Sequence, residues 1–134
     1  MEKLDQQVAQ MIAAKAIEMA KSTFNRPICV AVCDQFGFLL TFARMDNAPI
    51  RSIQIALGKA YTAARMGVNT DVFYERLHRD NISPSFFCDE KLTGLPGGAI
   101  LKDQKGNILG AVGISGLTSK EDQVIASAMA NNET

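Results

Sequence analysis

The sequence predicts an α+β domain, an α/β/α sandwich around a largely antiparallel sheet of four or five strands. Two pairs of apolar segments are each joined by a short Asp- and Gly-bearing turn, the signature of β-hairpins. The first of these strands, Ile28 to Cys33, is apolar on both faces, so it needs cover on both sides. Helical segments precede, separate and follow the hairpins, and they supply that cover.

Taken in order, Leu4, Val8, Met11, Ile12 and Met19 form one stripe on a helix running from Leu4 to about Met19. Asn25-Arg26-Pro27 ends it and leads into the strand Ile28–Cys33. Asp34-Gln35-Phe36-Gly37 turns the chain into a second strand, Phe38 to Ala43. Ile50 to Met66 is an Ala-rich helix carrying Gly58, with side chains small enough for close approach to a sheet, and Gly67 is its stop. Asn69-Thr70-Asp71 reads as the N-cap of a short helix reaching about Leu77. Asn81 to Gly98 holds two prolines and three glycines with no sustained period, a loop long enough to suggest a role of its own. A second hairpin follows, Ala99–Lys102 and Ile108 to about Ser115, joined by Asp103-Gln104-Lys105-Gly106-Asn107. Thr118 and Glu121 form a capping-box pattern opening a last helix, Ser119 to about Ala130.

The chain has 134 residues, and 14 Lys plus Arg balance 14 Asp plus Glu. That length suits one domain, residues 1–134, with a core that needs no disulfide or metal to fold. Zero net charge offers nothing to a phosphate backbone or an anionic membrane, so nucleic-acid and membrane partners are not expected. No apolar run approaches the ~18 residues of a membrane span. Met1 to Asp5 has neither a basic nor a hydrophobic targeting region, so a cytoplasmic location is expected.

The chain lacks phosphate-binding, dinucleotide-binding, zinc-protease and C-x-x-C motifs. One His and three Cys make no tetrahedral metal set, so no metal site is expected. Cys29 and Cys33 share a strand face about 13 Å apart and read as small buried hydrophobes. Cys88 lies in a polar loop and reads as inert. His78, among Arg79, Asp80 and Asn81, reads as a solvated helix end. The glycines Gly97-Gly98 and Gly110, Gly113 and Gly116 have two equal readings: close approach by a ligand or tight helix–sheet packing. Lys59 stands out on a small-residue helix face, where an ammonium needs a partner or a ligand.

Five motifs in order carry a family resemblance: Val30-Ala31-Val32-Cys33-Asp34-x-x-Gly37, Arg44-Met45-Asp46, Lys59-Ala60-Tyr61-Thr62-Ala63, Gly97-Gly98, and Gly110 to Gly116 followed by Glu121-Asp122. Together they resemble the GlcG/HbpS family, which includes the C-terminal domain of PduO corrinoid adenosyltransferases and OrfY-type proteins associated with glycerol and diol utilisation. The resemblance implies a profilin-like α/β/α sandwich with a five-stranded antiparallel sheet, assembled as a homo-oligomer. It also implies a small-molecule ligand, with haem or a corrinoid as the cofactors the family suggests. In the PduO-type domain haem ligation is attributed to a His of the N-terminal helix, and this helix has none. Ala99 stands where many relatives have Pro.

The expected function is a small accessory or ligand-binding protein supporting cobalamin-dependent glycerol or diol metabolism. Haem binding or degradation is the alternative, and a small enzyme using Asp122 or Glu121 as base is a third reading. The expected pocket lies between the long loop and the last hairpin. Arg44 and Lys59 would meet an anionic group there, Gly97, Gly98 and Ser115 would donate, Asp122 would accept, and Asp46 and Thr62 complete the candidate set.

Overall fold

A computed structural model describes residues 1–131. Its elements are α1 (Gln6–Met19), β1 (Cys29–Asp34), β2 (Leu39–Arg44), α2 (Ser52–Met66), α3 (Thr70–Asp80), β3 (Gly98–Lys102), β4 (Ile108–Ser115) and α4 (Ser119–Asn131). The sheet order is β2-β1-β4-β3, and every neighbouring pair is antiparallel. The sheet therefore has four strands, at the lower bound of the pattern reading, and the five implied by the resemblance are not present among the described residues. The chain between α3 and β3 supplies no further strand. It makes a single 3-10 turn, Pro84–Phe87, and two of its residues, Pro84 and Pro96, have no N–H to give a ladder.

The two dry faces of β1 are covered as the alternation demands. Ile28, Val30 and Val32 join Val112, Ile114 and Leu101 in a core beneath α1 and α4. Cys29, Ala31 and Cys33 face Ala56, Ala60 and Ala63 of α2. Leu40 bulges out of the β1–β2 register, which passes from Val32↔Thr41 to Cys33↔Leu39.

Both hairpin turns use one device. The Asp34 carboxylate accepts from the N–H groups of Phe36 (2.9 Å) and Phe38 (3.0 Å), and Asp103 does the same for Lys105 (2.9 Å) and Asn107 (2.8 Å). The capping box forms, with Glu121 N–H donating to Thr118 Oγ1 and Thr118 N–H to Glu121 Oε1, both at 3.1 Å. Asn69 makes no side-chain cap at the start of α3. Its Oδ1 instead accepts from Ile100 N–H at 2.9 Å, tying α3 to the edge strand. That helix also runs to Asp80, beyond the expected Leu77, so His78 belongs to its last turn.

The glycines of β4 resolve to tight packing. A Cβ on Gly113 would lie 2.2 Å from the Ala56 carbonyl oxygen and 2.5 Å from Ala60 N, so α2 rests on the bare backbone of β4. Gly113→Ala is expected to cost about 3 kcal/mol or more in urea unfolding, since both clashing groups are helix backbone. Gly106→Ala, in open space at φ +87°, should cost only about 1 kcal/mol for its left-handed backbone.

Candidate functional site

Lys59 and Asp122 meet in the interior, with side chains 1% and 2% exposed. The small residues around Lys59 let α2 approach the sheet so closely that its ammonium reaches past β4. Lys59 Nζ donates to the Ile114 carbonyl at 2.8 Å and to Asp122 Oδ2 at 3.0 Å. Asp122, in the first turn of α4, also accepts from Leu117 N–H through Oδ1 at 3.0 Å. Burial pulls the Lys59 ammonium below its ordinary value and pushes the Asp122 carboxyl above its own, and the mutual attraction offsets part of each.

Gly97 and Gly98 cross directly above this pair. A Cβ on Gly97, at φ +130°, would come within 2.6 Å of Lys59 Nζ, and one on Gly98 within 2.5 Å of the Lys59 carbonyl oxygen. Their N–H groups are bonded inside the chain: Gly97 donates to Gln123 Oε1 (2.6 Å) and Gly98 to Thr70 Oγ1 (2.7 Å). Gln123 Nε2 returns a bond to the Gly98 carbonyl at 3.0 Å. Thr70 and Gln123 are thus parts of the junction that the motifs did not single out. The signal was available, since Gln123 adjoins Asp122 and Thr70 follows the Asn69 cap position.

Of the remaining candidates, Ser115 is buried at the end of β4 in a cross-strand row with Cys29 and Arg44. Arg44 is exposed at the end of the edge strand, and Asp46 is exposed beyond it beside Met45 and Asn47. Thr62 lies on α2 and accepts from Thr93 N–H at 2.9 Å, which holds the long loop against the helix. The structure therefore joins Lys59, Asp122, Gly97 and Gly98 into a closed, fully bonded junction. It leaves Arg44 and Asp46 on the surface.

A shallow concavity of about 760 Å³ lies beside this junction, between Tyr74 of α3, Leu95 and Pro96 of the long loop and Gln123 of α4, and a second, more enclosed one lies along α2. Helix α2 packs along β4, β1 and β3, so β2 overhangs it. Between them lies a groove of about 550 Å³, floored by Ala31, Cys33, Gly58 and Ala60 and walled by Leu39 and Leu57. Tyr61 stands at its rim and donates its hydroxyl to Asp89 Oδ2 at 2.6 Å. That bond raises the Tyr61 phenol and lowers the Asp89 carboxyl. The Arg65 guanidinium carbon lies 4.7 Å from the centre of the Tyr61 ring and Lys91 Nζ lies 5.6 Å from it. Tyr61 belongs to a recognised motif, but Arg65, Asp89 and Lys91 carry no local pattern.

No group of three or more His, Cys, Asp or Glu among the described residues is placed to hold a metal ion. At the groove floor the Cys33 thiol donates to the Ala60 carbonyl at 3.4 Å and is pushed up to about 12 by burial. His78 is on the exposed last turn of α3, with Nδ1 3.1 Å from the Tyr74 carbonyl oxygen and its ring against Tyr74. Neither Cys33, buried and protonated, nor His78, outside the groove, is placed to hold an iron there.

A small antiparallel sheet between helical layers, with its second helix locked to its last by a buried lysine–aspartate pair, defines an α+β domain of the GlcG/HbpS type. The chain belongs to the HbpS-like family, described as haem degrading protein HbpS-like, whose family model matches residues 4–131. It is 38% identical over 113 residues to GlcG of Escherichia coli, covering 84% of this chain and 81% of GlcG. It is 31% identical over 120 residues to a 15.0 kDa protein of the dhaT-dhaS intergenic region of Citrobacter freundii, covering 89% and 81% of the two chains. Its fold superposes on the crystal structure of HbpS with a TM-score of 0.85 at 28% identity, covering 98% of this chain and 90% of HbpS.

Removing one member of the buried pair leaves an uncompensated charge, so Lys59→Met or Asp122→Leu is expected to cost about 3–5 kcal/mol in urea unfolding. The double variant should recover most of that loss. The unfolded chain holds the Lys59 proton more tightly than the folded one. Relative to the double variant, the natural chain should therefore gain stability as pH rises toward 10.5. In a thiol titration of the folded protein, exposed Cys88 should react first, with buried Cys29 and Cys33 reacting only on unfolding.

Proposed function

We propose that the protein is a small-molecule-binding accessory protein of its family, cytoplasmic and homo-oligomeric, serving cobalamin-dependent glycerol or diol metabolism. The observation that carries the binding role is the groove beneath β2, an apolar concavity of about 550 Å³ with cations at its rim. The Citrobacter relative, from between dhaT and dhaS, supports the metabolic setting. An oligomer is supported by the edge strand and its turn, where Phe36, Phe38 and Leu39 are 58%, 65% and 53% exposed and no charge interrupts residues 36–43. Among the described residues no helix is long and apolar enough to cross a membrane. The Lys59–Asp122 pair, with side chains 1% and 2% exposed, offers no open route for a substrate to Asp122.

Haem is the second reading, favoured by the family's description. On this chain the macrocycle would rest on the apolar floor with its acid groups toward Arg65 and Lys91, and neither Cys33 nor His78 would serve as its iron ligand.

Native mass spectrometry of the purified protein is expected to show an oligomer carrying a small molecule that leaves on denaturation. Haemin and metal-free protoporphyrin should then bind with affinities within about tenfold of each other. A Soret shift seen only with haemin and lost in His78→Ala would replace the groove with a histidine site. A monomer without adduct that takes up neither porphyrin nor hydroxocobalamin would overturn the proposal.

A further inference from the structure

We propose that the groove beneath β2 is a site for an elongated or flat apolar acid, with the hydrocarbon body on the small-residue floor and the anionic group at the Arg65–Lys91 end. This deepens the small-molecule reading and rests on it.

The groove follows α2 from Gln54 to Arg65, which is about 16 Å at the helical rise per residue. Over that length the floor is Ala31, Gly58 and Ala60, with the protonated Cys33 thiol turned to a backbone carbonyl, so the middle offers no charge and no free donor. A Cβ on Gly58 would rest in ordinary van der Waals contact with the Lys91 carbonyl oxygen and Thr93, both at 3.6 Å, so the 89–93 segment closes over the helix there and bounds the groove.

The charged groups collect at one end, opposite the Gln54 amide, and their unused capacity is mostly for donation. Asp89 is engaged: Oδ2 accepts from the Tyr61 hydroxyl (2.6 Å), Oδ1 from Lys91 N–H (3.1 Å), and Arg65 Nη1 lies 4.0 Å away. Arg65 spends Nε on the Phe36 carbonyl at 2.7 Å, which fixes the guanidinium over Tyr61; Nη1 is held only by the long ion pair to Asp89, and its outer N–H groups make no hydrogen bond among the described residues. Lys91 forms no ion pair among the described residues, and its ammonium hangs over the same ring. Glu90 is the one competing carboxylate on the groove wall. Two cations against one aromatic ring, beside a carboxylate whose oxygens are occupied, leave donors for an acid group that no described residue fills.

The test uses two dyes of nearly the same shape, anilinonaphthalene sulfonate and the uncharged N-phenylnaphthylamine, titrated by fluorescence against the intact protein. The sulfonate should bind saturably, one per protomer. Lys91→Met, a surface change remote from the core, and Arg65→Met should each weaken the sulfonate by about tenfold while leaving the uncharged dye unchanged. Glu90→Gln should tighten the sulfonate. Melting curves check that each variant is folded. Equal binding of the two dyes, unaltered by Lys91→Met and Arg65→Met, would overturn the acid assignment and leave the small-molecule reading standing. Binding of neither dye would overturn both.

Discussion

The structure depends on how closely α2 lies against β4. Gly113 has no side chain beneath Ala56 and Ala60, and Gly98 has none beneath the Lys59 carbonyl, so helix and sheet meet backbone to backbone. Only at that separation can Lys59 reach past the sheet to Ile114 and Asp122. The ammonium and the carboxylate join α2, β4 and α4, elements from both helical layers. Two buried charges are costly to desolvate, and their attraction and hydrogen bonds do little more than offset that cost. The pair therefore acts mainly through specificity, because an arrangement that separates α2 from α4 strands two charges.

The same contact explains the groove. A helix of small residues drawn toward β4 and β3 cannot also cover β2, and the β1–β2 hairpin extends beyond it. On the opposite face α1 does reach β2, so the overhang is dry on one side and open on the other. The 89–93 segment bridges part of the gap, held by Tyr61–Asp89 and by Thr62 to Thr93 N–H, and its charged residues become the rim. One packing decision thus closes the junction and opens the cavity.

Much of the architecture was legible from local pattern. The hairpin turns, the doubly apolar β1 and the Thr118–Glu121 box each have a short-range cause. The buried status of Lys59 was also readable, because alanines flanked it on one helix face. Its partner was not fixed by any local rule: Lys59 and Asp122 are 63 residues apart and meet only through the sheet order. Gly97 and Gly98 drew a binding role from their residue type, while in the fold their N–H groups answer Gln123 and Thr70. The groove left no mark on the sequence, since a concavity is made by where elements stop. The fifth strand came from family resemblance, and the proline-bearing chain before β3 does not supply it.

The two halves of the buried ion pair leave the ribosome at very different times. Residues through β4 contain all the strands and one complete apolar core face, yet a chain interrupted before Asp122 has an ammonium facing its interior and nothing to neutralise it. Helix α2 cannot settle onto β4 in such a chain without stranding that charge. Closure of the domain is thereby tied to the arrival of its last helix, which supplies the carboxylate.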